Sequence, residues 1–135
     1  MTSTGTLAWS DELAFQVAVI QGRAPSTSGV YEILQSTEYQ RYRGSARTLK
    51  IGMSEASLRK ELLNHLVRHT AANRLTRVRN AHGLQVTFRF ACLPPEEAGE
   101  AEKRLLRDIE DTHWELPLLN STRGYKRGAD RHYCK

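Results

Sequence analysis

Residues 84–113 constrain the fold most, because the apolar spacing changes there from one secondary-structure period to another. In "LQVTFRFACL" (84–93), Val86, Phe88 and Phe90 alternate with Gln85, Thr87 and Arg89, the period of a half-buried strand. Pro95 and the acids Glu96 and Glu97 then suit the first turn of a helix. Along that helix Ala98, Leu105, Leu106 and Ile109 stand at −4, +3, +4 and +7 from Glu102, so they share its side. A carboxylate is thus set into the stripe that should face the core. There it must be paired, bound to a metal or neutralised by a shifted pKa, unless it lies at the stripe's edge and reaches water.

The rest of the chain supplies too few elements for more than one domain, and 135 residues suffice for one proper core. "WSDELAFQVAVIQG" predicts a helix with Ser10 as N-cap, Asp11 and Glu12 in the first turn and Gly22 as the stop. "RAPSTSG" reads as a linker. "GVYEILQ" (29–35) and "RTLKIG" (47–52) have the composition of strands, joined antiparallel through "STEYQRYRGSA", a loop longer than a tight hairpin. Ser54 is placed to cap a helix running to about residue 68, with Leu58, Leu62, Leu66 and Leu63 turned inward. "AANRLTRVRNAHG" is very basic and irregular or partly helical. The order αββαβα predicts an α+β domain: a small mixed or antiparallel three-stranded sheet flanked by helices, with an extra N-terminal helix. The boundaries are residues 1–27 for the N-terminal helix and linker, 28–125 for the main domain and 126–135 for a basic C-terminal tail.

No apolar run approaches membrane-spanning length, and the N-terminus lacks a basic start followed by an apolar stretch. Cys92 and Cys134 are far apart and have no CxxC partner, so thiols in a reducing cytoplasm are expected rather than a disulfide or zinc. The net charge of +5 is unevenly spread: residues 41–90 carry eleven Lys/Arg against Glu55 and Glu61, while residues 91–120 carry eight acids against three bases. A basic centre and tail on an otherwise acidic chain suit a polyanion such as DNA.

Four short motifs carry a resemblance: "GVY" at 29–31, "KIG" at 50–52, "EKRLL" at 102–106 and "PLLN" at 117–120. Their order resembles the GIY-YIG nuclease superfamily over roughly residues 28–125. The resemblance implies a GIY-YIG-like fold and a metal-dependent DNA endonuclease. Glu102 would hold a single divalent metal, Mg²⁺ or Mn²⁺, with waters and phosphate oxygens completing the shell. Tyr31 would activate or position the attacking water. A phenol has a pKa of about 10, so a nearby cation would have to lower it. Lys50 stands where the family usually has tyrosine, as in some of its restriction enzymes, and would favour the phenolate of Tyr31 or hold a phosphate oxygen.

The family also places an arginine on the helix "SLRKELLNHL". By residue type Arg59 is the match; by spacing to His65, four residues before it, the position falls on Glu61. Arg59 is favoured, because a carboxylate would repel the phosphate. His65 would serve as proton donor or phosphate ligand, and Asn120 would order the loop of the site by hydrogen bonds. "EYQRYRG" interleaves Tyr39 and Tyr42 with Arg41 and Arg43, a composition that stacks on bases while gripping phosphates. Arg68, Arg74, Arg77, Arg79, Arg123, Lys126, Arg127 and Arg131 would extend that surface. A homodimer or partner protein would supply specificity. The alternatives are a DNA-binding module that has lost catalysis, marked by Glu61 or Lys50, and a protein-interaction domain whose acidic 91–120 region meets a basic partner.

Overall fold

The computed structural model describes residues 7–67 and 85–120. In chain order these form β1 (Leu13–Ala14), α1 (Val17–Arg23), β2 (Gly29–Gln40), β3 (Ser45–Ser54), α2 (Leu58–Val67), β4 (Val86–Cys92) and α3 (Pro95–His113). The fold is α+β, and its sheet has four strands in the order β1-β4-β2-β3, every neighbouring pair antiparallel. No helix among the described residues is long and apolar enough to cross a membrane.

The fourth strand comes from the segment expected to begin the N-terminal helix. Ser10 exchanges bonds with Phe90, its N–H donating to the Phe90 carbonyl at 2.7 Å and its Oγ accepting the Phe90 N–H at 3.0 Å. Leu13 and Ala14 then pair with Phe88 and Thr87. Without them the edge of β4 would leave ladder groups unsatisfied, and that demand outweighs the capping signal at Ser10. The helix is confined to Val17–Arg23, with Gly22 inside it, and Pro25 follows the C-cap Ala24. Phe15, Ile20 and Ala24 enter the same core as Tyr31, Ile33, Leu58, Leu62 and Phe88.

The two central strands also run further than their apolar stretches suggest. Gln40 pairs with Ser45, and only Arg41–Gly44 turn the hairpin. Gly44 takes φ 76°, a left-handed conformation that glycine adopts without Cβ strain. On this extension Ser36, Thr37, Glu38 and Gln40 are exposed and Tyr39 packs back against the core, so the stretch lacks the alternation that marks a half-buried strand.

α2 begins at Leu58, capped by Ser57, whose Oγ accepts the Lys60 N–H at 3.1 Å. Ser54, the expected cap, instead accepts the N–H groups of Ala56 and Ser57 and shapes the turn before it. Leu58 and Leu62 are fully buried as expected, but the next residue on that stripe is His65, with Leu63 and Leu66 only partly buried beside it. On the other face of the sheet, Val30 and Ala91 pack with Ala101 of α3, flanked by Met53, Leu105 and Trp9. That same face buries Glu32, which nothing in the composition of "GVYEILQ" distinguishes from an ordinary strand residue. Arg89 donates to it from Nε at 2.6 Å, the Thr48 hydroxyl donates to its other oxygen, and the Arg89 guanidinium lies 4.2 Å from the Trp9 ring centroid.

Candidate functional site

Tyr31 leaves β2 opposite Gly52 of β3 and is completely buried. A Cβ built at Gly52 would fall on the Tyr31 hydroxyl, so the glycine of "KIG" is the space through which the phenol lies. From α2, Glu61 meets that hydroxyl: Tyr31 Oη donates to Glu61 Oε2 at 3.2 Å. One turn later His65 Nε2 contacts the same oxygen at 3.2 Å, and the His65 and Tyr31 rings lie 5.6 Å apart between centroids. Helical geometry brings Glu61 and His65 together at i, i+4.

The position in contact with Tyr31 is therefore the one selected by spacing, Glu61, and not Arg59. Arg59 lies two residues earlier, near the opposite side of the helix, where its Nε donates to the Ala24 carbonyl at 2.8 Å and closes the end of α1. The residue-type argument misled because it ignored which way the helix turns its side chains.

Glu102 is partly buried on α3 among Ala98, Leu105, Leu106 and Ile109, the residues expected to share its side. Burial raises its pKa, the nearby Lys50 opposes that shift and the Glu61 carboxylate adds to it. The phenol of Tyr31 is raised well above its ordinary value by burial, then by the charge and hydrogen bond of Glu61, and further by the charge of Glu102. The direction is opposite to that of a phenol made more acidic by Lys50. The lysine's influence falls on Glu102, and the groups that act on Tyr31 include two carboxylates. Tyr31, Lys50, Glu61, His65 and Glu102 thus share one electrostatic environment, although β2, β3, α2 and α3 supply them.

Asn120 holds this arrangement from the sheet's open side. Its Oδ1 accepts the Ile51 N–H and its Nδ2 donates to the Ile51 carbonyl, each at 2.9 Å. Leu119 N–H adds a bond to the Leu49 carbonyl at 2.8 Å. An edge strand needs such partners, and the one supplied here lies between Lys50 and Gly52.

The expected nucleic-acid residues divide. Tyr39 is committed internally, donating to the Thr48 carbonyl and accepting from Leu118 N–H at 3.4 Å. Arg41 pairs with Glu115 at 3.1 Å and donates to the Leu116 carbonyl at 2.5 Å, so both residues anchor the hairpin rather than line an open surface. Tyr42 and Arg43 remain exposed, and Trp114, which no local sequence pattern marks, joins them: its ring lies 5.5 Å from Tyr42's and 5.5 Å from the Arg43 guanidinium. Arg68, Arg74, Arg77, Arg79, Arg123, Lys126, Arg127 and Arg131 lie outside the described residues.

Among the described residues no three His, Cys, Asp or Glu side chains converge as a metal-binding group. A single-carboxylate site of the kind Glu102 would offer needs no such group. Its oxygens suit Mg²⁺ or Mn²⁺, and the burial and Glu61 charge that favour its protonation would be relieved by a divalent cation. No family model, curated protein or solved structure matches the chain.

Proposed function

We propose that the chain is a metal-dependent endonuclease of the GIY-YIG type that hydrolyses phosphodiester bonds in DNA, with a divalent metal held at Glu102 and the attacking water activated near Tyr31. The observation that carries this reading is the passage of the buried Tyr31 phenol of "GVY" across the glycine of "KIG" to reach α2, which joins motifs of different elements in one place. The resemblance in motif order and the hold of Asn120 on Ile51 support it further. Bound there, the metal would stabilise charge on the scissile phosphate and leaving oxygen. Lys50 adds positive charge beside Glu102, and the sheet and α2 keep Tyr31 away from bulk water.

A second reading has its own observation. Glu61, the position that spacing to His65 selects for the family's arginine, meets Tyr31, as it would in a DNA-binding module that has lost catalysis. Incubation with supercoiled plasmid and with branched DNA, in Mg²⁺ or Mn²⁺ and then in excess EDTA, separates the two. The nuclease reading expects cleavage that EDTA stops. Binding without cleavage in either metal favours the module. In both cases affinity should fall steeply with salt, log K losing roughly 0.9 per tenfold salt for each phosphate neutralised on duplex DNA. A flat response overturns both readings.

A further inference from the structure

The chemistry proposed above needs a group that can reach a water molecule and take its proton, and Tyr31 does not meet the first condition. Its side chain is completely buried, and its hydroxyl ends on Glu61 Oε2. Glu61 itself is open: its side chain keeps 34% exposure, whereas His65, the other group on that oxygen, keeps 4%. Two ring side chains fixed in the core therefore hold one oxygen of a carboxylate whose side chain is itself partly exposed. The Glu61 charge also acts on Glu102, the carboxylate assigned to the metal.

We infer that Glu61 is the proton acceptor for the attacking water, and that Tyr31 and His65 are positioning residues that fix its carboxylate from the buried side. The inference rests on the nuclease reading and changes which side chain performs its first step. In that step one O–H bond of the water breaks and its proton passes to Glu61. The water oxygen bonds to phosphorus, the P–O bond to the leaving nucleoside oxygen breaks, and that oxygen takes a proton from solvent. The glutamate that looks like a loss of the family's arginine thereby becomes a working residue. The charges of Lys50 and Lys103 act at Glu102 and would oppose the negative charge that gathers there.

The test is steady-state cleavage of supercoiled plasmid in Mg²⁺ by the full chain and three variants, with thermal melts alongside. Glu61→Gln keeps the shape and removes the base, so kcat should fall by about 10²–10⁴ with KM and melting temperature held. Glu61→Asp keeps a carboxylate one methylene short and should retain more activity than Glu61→Gln, which also covers a glutamine variant that fails to fold. Glu61→Arg should be no more active than Glu61→Gln. Tyr31→Phe should lower kcat while leaving KM unchanged, since it loosens the base without touching the bound DNA. Cleavage by Glu61→Gln at the wild-type rate, or an arginine variant faster than wild type, overturns the role of Glu61 and leaves the nuclease reading standing. A wild-type chain that cuts no plasmid in either metal overturns both.

Discussion

Tyr31 and Glu32 are neighbours on one strand, and the pleat sends them to opposite faces, where buried polar chemistry is treated in two ways. On the Glu32 side the acid meets a cation: Arg89 lies at 2.6 Å, and Thr48 donates to the second oxygen. On the Tyr31 side the phenol meets Glu61, and both Glu61 and Glu102 disfavour its ionisation. The first arrangement lets a fold bury an acid at small cost. The second keeps the phenol neutral as a donor to one carboxylate and sets the charges of Glu61 and Glu102 against each other, the kind of perturbation that gathers where a protein holds groups for chemistry. Burial alone does not separate the two; the sign of the neighbour does.

The sharpest way to break this comparison is to remove the cation from the closed side. Arg89→Ala leaves Glu32 buried without its charge partner and should lower stability by about 2–4 kcal/mol, somewhat less than for a fully buried pair because Arg89 is partly exposed. Replacing both residues by apolar ones of similar size should recover most of the loss. Chemical denaturation measures both. A loss under about 0.5 kcal/mol, the range of an ordinary surface substitution, would put Glu32 in the same class as Glu61 and remove the contrast.

On the other face the next effect is steric. Gly52→Ala sets a methyl group where the Tyr31 hydroxyl lies, and a buried ring cannot simply rotate away. We expect a loss of about 1–3 kcal/mol, the usual range for overpacking, with the Tyr31 ring resonances displaced in NMR spectra. Unchanged resonances would mean that the phenol does not cross β3 at this glycine.

The two faces also differed in how plainly the sequence announced them. The alternation of Val86, Phe88 and Phe90 and the stripe around Glu102 located β4 and α3 closely, because each buries one side against the sheet and periodicity records that. Tyr31, Lys50 and Glu102 could be picked out as a group through motif order. β1 was hidden, since two residues carry no period and their pairing depends on β4's unsatisfied edge. Glu61 was misjudged because residue type was weighed above helical phase, and Arg41 because a basic residue in a polar loop gives no sign of the Glu115 that holds it. Trp114 closes α3 in the left-handed region, with φ 64°, and its approach to Tyr42 joins segments that no local pattern relates.

A smaller effect is expected at the edge of the site. Asn120→Ala removes two hydrogen bonds to Ile51 and should reduce stability by about 1–2 kcal/mol. The diagnostic reading is local: the Ile51 amide should exchange faster with solvent, while the amides that pair β2 with β4 keep their protection. Uniform acceleration across the sheet would mean that the residue supports the whole fold and does not specifically hold the strand carrying Lys50 and Gly52.

The smallest effect on stability belongs to Glu102, and its sign decides what the residue is for. Its pKa in the folded chain is raised, chiefly by burial, so the folded state holds the proton more tightly than the unfolded state does. The stability linked to that proton is present below the ordinary glutamate range and is lost as pH rises through the raised folded pKa. At neutral pH the ionised carboxylate is therefore a net burden on the metal-free fold. Glu102→Gln should melt at the same temperature or slightly higher in EDTA at pH 7, and the advantage should vanish below the ordinary glutamate pKa, where the wild-type side chain is also neutral. Cleavage should be abolished and Mn²⁺ binding weakened, while DNA binding in EDTA persists. A structural acid behaves the other way, as Glu32 should when its charge is removed: the stranded Arg89 lowers stability at neutral pH. A large drop in the melting temperature of Glu102→Gln with cleavage retained would place Glu102 with Glu32 as a partner in a core ion pair. A neutral or raised melting temperature with cleavage gone would leave the fold with no use for this carboxylate apart from the metal.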